Sequence, residues 1–329
     1  MPPRATRCPT TQIRLISFIR SETVVAMPSY FFPFLFLVPE FEGSTLEFDS
    51  FSVHRRLWTT STFDLATLAT KHRLHLPYQL MDVYLGHCNL EVEFKAAEDT
   101  SEAADDIQII RALLYLYGTA MFAIPFYTTY SVNQYSGINS RDSDSLRKKM
   151  PDGMREGITS KTATVEAWPL DLTLQLVSAC GETKTSQPLW AQVASQWQLW
   201  KSLEAQYPIL NIARRILNSA PTIADIGPSI LEIWQAVETL FPTVTSEVSF
   251  RLAVLVSQLC TPLRNPGVTY RDTKKKYGVR SKITHGSTSK VSSDDWVGAW
   301  DTLCTCLRSV IERKKLPSED DLLAELLPS

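Results

Sequence analysis

Apolar and polar positions along the chain change their period near residue 187. From Tyr30 to Val38 aromatic and aliphatic residues form a short run broken by Pro33, which reads as a buried strand. Thr45–Val53 places Leu46, Phe48, Phe51 and Val53 so as to predict one strand with an irregularity. Leu90, Val92 and Phe94 alternate with Glu91, Glu93 and Lys95, the pattern of a half-buried strand. Helices are predicted over residues 61–72 and 105–117. The second opens with acids and lines up Ile109, Ile110, Leu113, Leu114 and Tyr117. Residues 131–160 are polar and glycine-containing, which predicts a long loop or a partly disordered crossing. Within 165–177, Leu170, Leu172, Leu174 and Leu176 alternate as a strand.

Beyond that point the period is helical. Residues 187–218 are rich in tryptophan and interrupted near Pro208, so two helices are predicted. The next helix is read from Ser229, which with Glu232 has capping-box spacing, and its buried face is Ile230, Ile233, Trp234, Val237 and Phe241. Another runs over 246–260 with Val248, Leu252, Leu255, Val256 and Leu259 inward, closed by Pro262 and Pro266. A shorter one covers 270–285 and stops at Gly286. The last long helix starts near Ser292 with Asp294 and Asp295 in its first turn and ends in Arg313, Lys314 and Lys315, both suited to the helix dipole. A short helix over 319–327 follows. The predicted fold class is therefore α+β. A mixed, strand-containing N-terminal domain at 28–180, a candidate sensing or regulatory unit, precedes an all-α helical bundle at 187–327.

Composition adds bounds. At 44% hydrophobic and 21% charged, the 329 residues can bury a core without a staple. Six cysteines (Cys8, Cys88, Cys180, Cys260, Cys304 and Cys306) are scattered and read as reduced thiols of a cytoplasmic protein. No run is apolar enough for a membrane span. The first twenty residues carry four arginines and no acid. Two readings stand: a targeting peptide, or a disordered segment 1–27 ahead of a natural start at Met27. The net charge of −2 points to no polyanion, yet Arg271–Lys290 holds seven Lys or Arg residues against the single acid Asp272.

That basic segment contains Tyr277-Gly278-Val279-Arg280-Ser281-Lys282-Ile283-Thr284-His285-Gly286. Val279 and Ile283 can anchor it, while Tyr277, Ser281 and His285 share another face. Arg280 and His285 are about 7.5 Å apart along a regular helix axis, a gap that an arginine side chain spans. Arginine, four residues, then histidine, with Tyr277 before it and Arg280-Ser281-Lys282 and His285-Gly286 within it, resembles the Apea-like HEPN family. So do the Ile233–Leu240 and Phe250–Ala253 stretches, and the resemblance covers roughly 187–327.

The resemblance implies a HEPN-like bundle acting on RNA without metal or cofactor, as a homodimer or higher oligomer, in a prokaryotic antiviral-defence or toxin effector. It implies that His285 takes the proton of a ribose 2′-OH. Arg280 would stabilise the phosphate charge. The products would be a 2′,3′-cyclic phosphate and a 5′-OH. Ser281 stands where catalytic HEPN proteins commonly place Asn, Asp or His, and has less reach. A helix C-terminus favours charged imidazolium while Arg280 and Lys282 oppose it, so acid and base roles stay open.

Glu238 could orient Arg280 or His285, or be a solvated carboxylate. Lys274, Lys275, Lys276, Arg280 and Lys282 read as RNA phosphate contacts or as a solvated helix face. Tyr277 could stack a base or pack in the core. His72, His75, His87 and Cys88 match no metal-ligand spacing, and the eight tryptophans read as core. Three functions are therefore expected candidates: an RNA endonuclease, a non-catalytic RNA-binding or oligomerisation module on the same fold, and a ligand-binding first half with a merely dimerising helical half.

Overall fold

A computed structural model of the protein describes residues 29–71, 86–95, 100–163, 165–167, 181–286 and 291–326. The arginine-containing segment 1–27, the Leu170–Leu176 alternation, His72 and His75, Cys8 and Cys180, Lys290 and Leu327 lie outside the described residues.

The first half folds around β1 (Tyr30–Phe34), β2 (Val38–Glu40), β3 (Thr45–Glu47), β4 (Ser52–Arg55), β5 (Leu90–Phe94), β6 (Phe126–Thr128) and β7 (Val165–Ala167). Six of these form one antiparallel sheet in the order β3-β4-β5-β1-β6-β7. Two expectations are corrected here. The 30–38 run is not one strand, because Phe36 adopts φ 72° and turns the chain out of β1. β2 then pairs in parallel with β8 (Lys184–Ser186). The irregularity in 45–53 is a hairpin, closed by Phe48 N–H donating to Phe51 carbonyl at 3.0 Å, with the two rings 5.1 Å apart.

β5 is buried on both faces rather than one. Leu90, Val92 and Phe94 join the main core. On the other face Glu91 is fully buried and accepts from Arg56 Nε at 2.9 Å, Ser131 Oγ at 2.8 Å and Val132 N–H at 3.1 Å. A buried carboxylate needs such partners, since isolated burial of its charge costs several kcal/mol.

Residues 131–160, predicted as a long loop, carry a 3-10 turn and two short helices up to Arg147 and turns beyond it. After α1 (Thr62–Lys71) and α2 (Thr100–Leu116), a 3-10 turn leads into the short helices α3 (Ile138–Asp142) and α4 (Asp144–Arg147). Tyr135 and Ile138 pack with Leu65 and Leu68 in a second core. Asp64 accepts the N–H groups of Gly137 and Asn139 at 3.2 and 3.1 Å, and buried Arg141 donates to the Ile158 and Gln134 carbonyls. Polar side chains turned inward onto backbone groups hold this stretch, and composition does not announce them.

The second half is a helical bundle: α5 (Gln187–Gln206), α6 (Ile209–Ser219), α7 (Ile226–Thr239), α8 (Val248–Leu259), α9 (Pro266–Thr284), α10 (Ser293–Arg313) and α11 (Glu319–Leu326). Trp190, Trp200, Trp234 and Trp296 are fully buried, and Trp296 stacks on Trp300 at 5.0 Å. The core is continuous with the sheet through α2, whose apolar face meets α5, α6 and α10. Polar ties cross the same junction: Arg214 on α6 bonds Glu204 at 2.6 Å and Asp105 on α2 at 2.7 Å, while Lys201 on α5 meets Asp106 at 2.9 Å.

Two helix starts differ from the sequence reading. α7 begins at Ile226 behind Asp225, whose carboxylate accepts Gly227 N–H. Ser229 therefore sits inside the helix, buried, donating to Ala220 carbonyl at 2.7 Å and accepting from Trp296 Nε1 at 2.6 Å. α9 starts at Pro266 rather than near Tyr270: Asn265 caps it and proline occupies its first turn, where the missing N–H is harmless. Ser292 and Asp295 form the capping box of α10. Among the described residues no helix is long and apolar enough to cross a membrane.

Candidate active site

α9 lies against α7, α8 and α10 and buries Thr269, Thr273, Tyr277 and Ile283. Its end is set by Gly286, which at φ 82° adopts a backbone that favours glycine and lets its N–H reach the Ile283 carbonyl at 2.9 Å. The Tyr277–Ser281–His285 stripe consequently climbs from buried through half-buried to exposed. Val279 packs on the core beside Ile283.

Glu238, near the end of α7, is the hub. Its Oε1 accepts the Tyr277 hydroxyl at 2.9 Å and lies 3.1 Å from Arg280 Nε, and its Oε2 accepts from Arg280 Nη2 at 3.3 Å. Glu238 is thus engaged by Arg280 and Tyr277 rather than left as a solvated carboxylate, and no hydrogen bond or ion pair joins it to His285. Arg280 also reaches Thr284 Oγ1 through Nη1 at 3.4 Å and lies over the Tyr277 ring at 5.5 Å. Its Nε contacts Glu238 as an ion pair without the alignment of a hydrogen bond. A guanidinium has five N–H donors, so this arrangement orients Arg280 and leaves donors for an anion. The side chains of Arg280 and Glu238 are 29% and 28% exposed, which keeps the pair within reach of solvent.

Tyr277 is corrected as a base-stacking residue. Its ring is buried edge-on to Trp234 at 5.2 Å and its hydroxyl is committed to Glu238. Burial, followed by the hydrogen bond to that carboxylate, pushes the phenol up to about 12.

His285 stands just past the last helical residue, exposed, and makes no side-chain hydrogen bond or ion pair with any described residue. No hydrogen bond or ion pair joins it to Arg280. Ser281, half-buried, lies one residue beyond Arg280.

The lysines divide. Lys274, Lys275 and Lys282 are exposed together with Arg271, on the side of α9 turned away from the bundle. Lys276 points inward instead and meets Asp301 of α10 at 3.3 Å, a carboxylate also held by Arg264 at 2.6 and 2.8 Å. It is therefore tied into the bundle rather than presented with the others. The sequence reading missed Asp301 and Thr284. Thr284 carries a usable signal, its four-residue spacing from Arg280, whereas Asp301 is 25 residues from Lys276 and only packing joins them. It also missed Tyr270, under Lys274 Nζ at 5.8 Å and edge-on to exposed Phe250 at 6.3 Å.

Among the described residues no group of three His, Cys, Asp or Glu side chains is arranged to hold a metal ion. The fold and site thus define an α+β chain whose helical half presents, at one helix end, an oriented arginine and an exposed histidine with no side-chain partner among the described residues. Set against protein-family models, curated proteins and solved structures, the chain finds no match in any of the three comparisons.

Proposed function

We propose that the helical half is a metal-independent RNA endonuclease of the HEPN kind, with His285 as general acid–base and Arg280 as the phosphate-holding group. The observation that carries the reading is the end of α9: Arg280 is held at a partly open surface by Glu238, and His285, five residues on, is exposed and has no side-chain partner among the described residues. Exposed Arg271, Lys274, Lys275 and Lys282 on the same helix supply the cationic file that an RNA backbone needs.

In this mechanism His285 removes the proton of a ribose 2′-OH. The oxygen attacks the adjacent phosphorus, and Arg280 meets the charge that develops on the non-bridging oxygens. A second imidazole, from another copy of the chain, protonates the departing 5′-oxygen. A homodimer that faces two α9 ends together provides this pair. Glu238 positions Arg280 and Ser281 adds a hydroxyl beside it. The exposed ends of α9 suit such pairing, and the scattered cysteines suit a cytoplasmic effector of defence or toxicity.

A second reading is favoured by one observation: Glu238 already neutralises Arg280, as in a structural ion pair. The chain is then a non-catalytic RNA-binding or oligomerising module. Incubating the full chain with RNA in chelator separates the two. The enzyme reading expects cleavage that falls by about 100-fold or more in His285→Ala and in Arg280→Ala. RNA binding without cleavage, unchanged by His285→Ala, establishes the module instead.

A further inference from the structure

α8 opens at the surface with an aromatic side chain that the core does not use. Phe250 stands in its first turn and is 52% exposed, while Leu252, Leu255, Val256 and Leu259 on the same helix are buried. Tyr270, near the start of α9, meets the Phe250 ring edge-on, with centroids 6.3 Å apart. An edge-on contact covers at most one face of a ring, so aromatic surface stays open here. Lys274, one helical turn beyond Tyr270, sets its Nζ 5.8 Å from the centroid of the Tyr270 ring. Arg271 and Lys275 are exposed on the adjoining stripe of α9.

Free charge separates this group from comparable ones elsewhere in the chain. Lys201 lies over Trp197 but is held by Asp106 at 2.9 Å, and Arg280 lies over Tyr277 but is held by Glu238. Phe63 is exposed too, yet Lys71 beside it is bound to Asp142 at 2.6 Å. No ion pair joins Arg271, Lys274 or Lys275 to any described residue. An open cleft of about 510 Å3 runs beside Phe250, with Glu247 in its wall. The Glu247 carboxylate repels phosphate and accepts from base N–H groups, so bases suit the α8 side and phosphates the α9 side. A second copy of the chain docking through the same face would set lysine against lysine, which opposes that pairing.

We propose, on the RNA reading above but independently of cleavage, that Phe250 and Tyr270 form a stacking platform for an unpaired base of single-stranded RNA, whose phosphates lie on Arg271, Lys274 and Lys275. Every base has a π-face, so the platform takes any sequence, whereas a paired base inside a duplex keeps its faces covered. Tyr270 lies ten residues before Arg280, about 15 Å along α9. A strand of a few nucleotides following the cationic stripe spans that length. The platform thus selects for strandedness and holds the strand in line with Arg280.

The test is fluorescence anisotropy of the full chain with a labelled 2′-O-methyl RNA strand, whose blocked 2′-oxygen prevents cleavage. The same strand made abasic and the same strand paired in a duplex are measured beside it. Phe250→Ala, which removes a ring outside the core, is expected to weaken the base-bearing strand about tenfold and to leave the abasic strand unchanged. Phe250→Trp keeps the parent affinity. Lys274→Gln weakens both strands alike and lowers the salt dependence. The platform is overturned if Phe250→Ala binds as tightly as the parent, if the abasic strand suffers an equal loss, or if the duplex binds as tightly as the single strand. A parent dimer that Phe250→Ala turns into a monomer in sedimentation also overturns it and assigns the face to a second copy. A parent chain that binds no strand overturns the RNA reading together with the platform, whereas binding insensitive to Phe250→Ala overturns the platform alone.

Discussion

One carboxylate decides what Arg280 and Tyr277 can do. Glu238 accepts from both, so the tyrosine is fixed as a neutral donor and the arginine is fixed in direction. The consequence for pH follows from the raised phenol. A folded pKa of about 12 against an unfolded value near 10 means that the unfolded chain loses this proton first. The stabilisation is complete below pH 10 and is lost as pH rises from there toward 12. Tyr277→Phe is expected to flatten that alkaline decline, measured as the urea midpoint across pH 9 to 12; an unchanged slope would show the tyrosine to be bystander. Glu238 was legible in the sequence as a neighbour of the motif because it lies beside the apolar stripe of its helix. That Tyr277 packs rather than stacks was left open, since a tyrosine on a short helix has the same spacing in either role.

At the scale of elements, apolar stripes and proline breaks announced most helices. The halves of 187–218 and the capped start of α10 follow from Pro208 and from Ser292 with Asp295, which act within a few residues. The errors arose where distant packing overrode a local signal. Ser229 and Glu232 have capping spacing, yet Ser229 is taken by Trp296 and Ala220 inside α7. Ser229→Ala leaves the Trp296 indole N–H buried without an acceptor and is expected to destabilise the fold by about 1–3 kcal/mol. Urea unfolding followed by tryptophan fluorescence measures this, and a change under a few tenths of a kcal/mol would contradict the network. Likewise the turn at Phe48–Phe51 is closed by two phenylalanine rings in tilted contact, in place of the glycine or asparagine that would have marked it. The burial of Glu91 depends on Arg56 and Ser131, which strand alternation does not reveal.

Across the whole molecule, the change of period near residue 187 marks a change of architecture rather than a break in the core. α2 belongs to the first half by sequence, but its apolar face is covered by α5, α6 and α10, and Arg214 reaches across to Asp105. A fragment beginning at Gln187 therefore exposes apolar surface that α2 covers in the full chain. It is expected to self-associate and to lose cooperative melting, as followed by light scattering and circular dichroism. A monomeric fragment melting like the full chain would show that the two halves are independent.

Arg280 and His285 are proposed to act on one phosphodiester, and the chemistry of the RNA ends reads this most directly. A labelled RNA digested by the full chain in excess chelator is predicted to yield 2′,3′-cyclic phosphate and 5′-hydroxyl ends, with none formed by His285→Ala. Intact RNA after incubation with a folded, RNA-binding chain, 3′-hydroxyl ends with 5′-phosphates, or the same products from His285→Ala would contradict it.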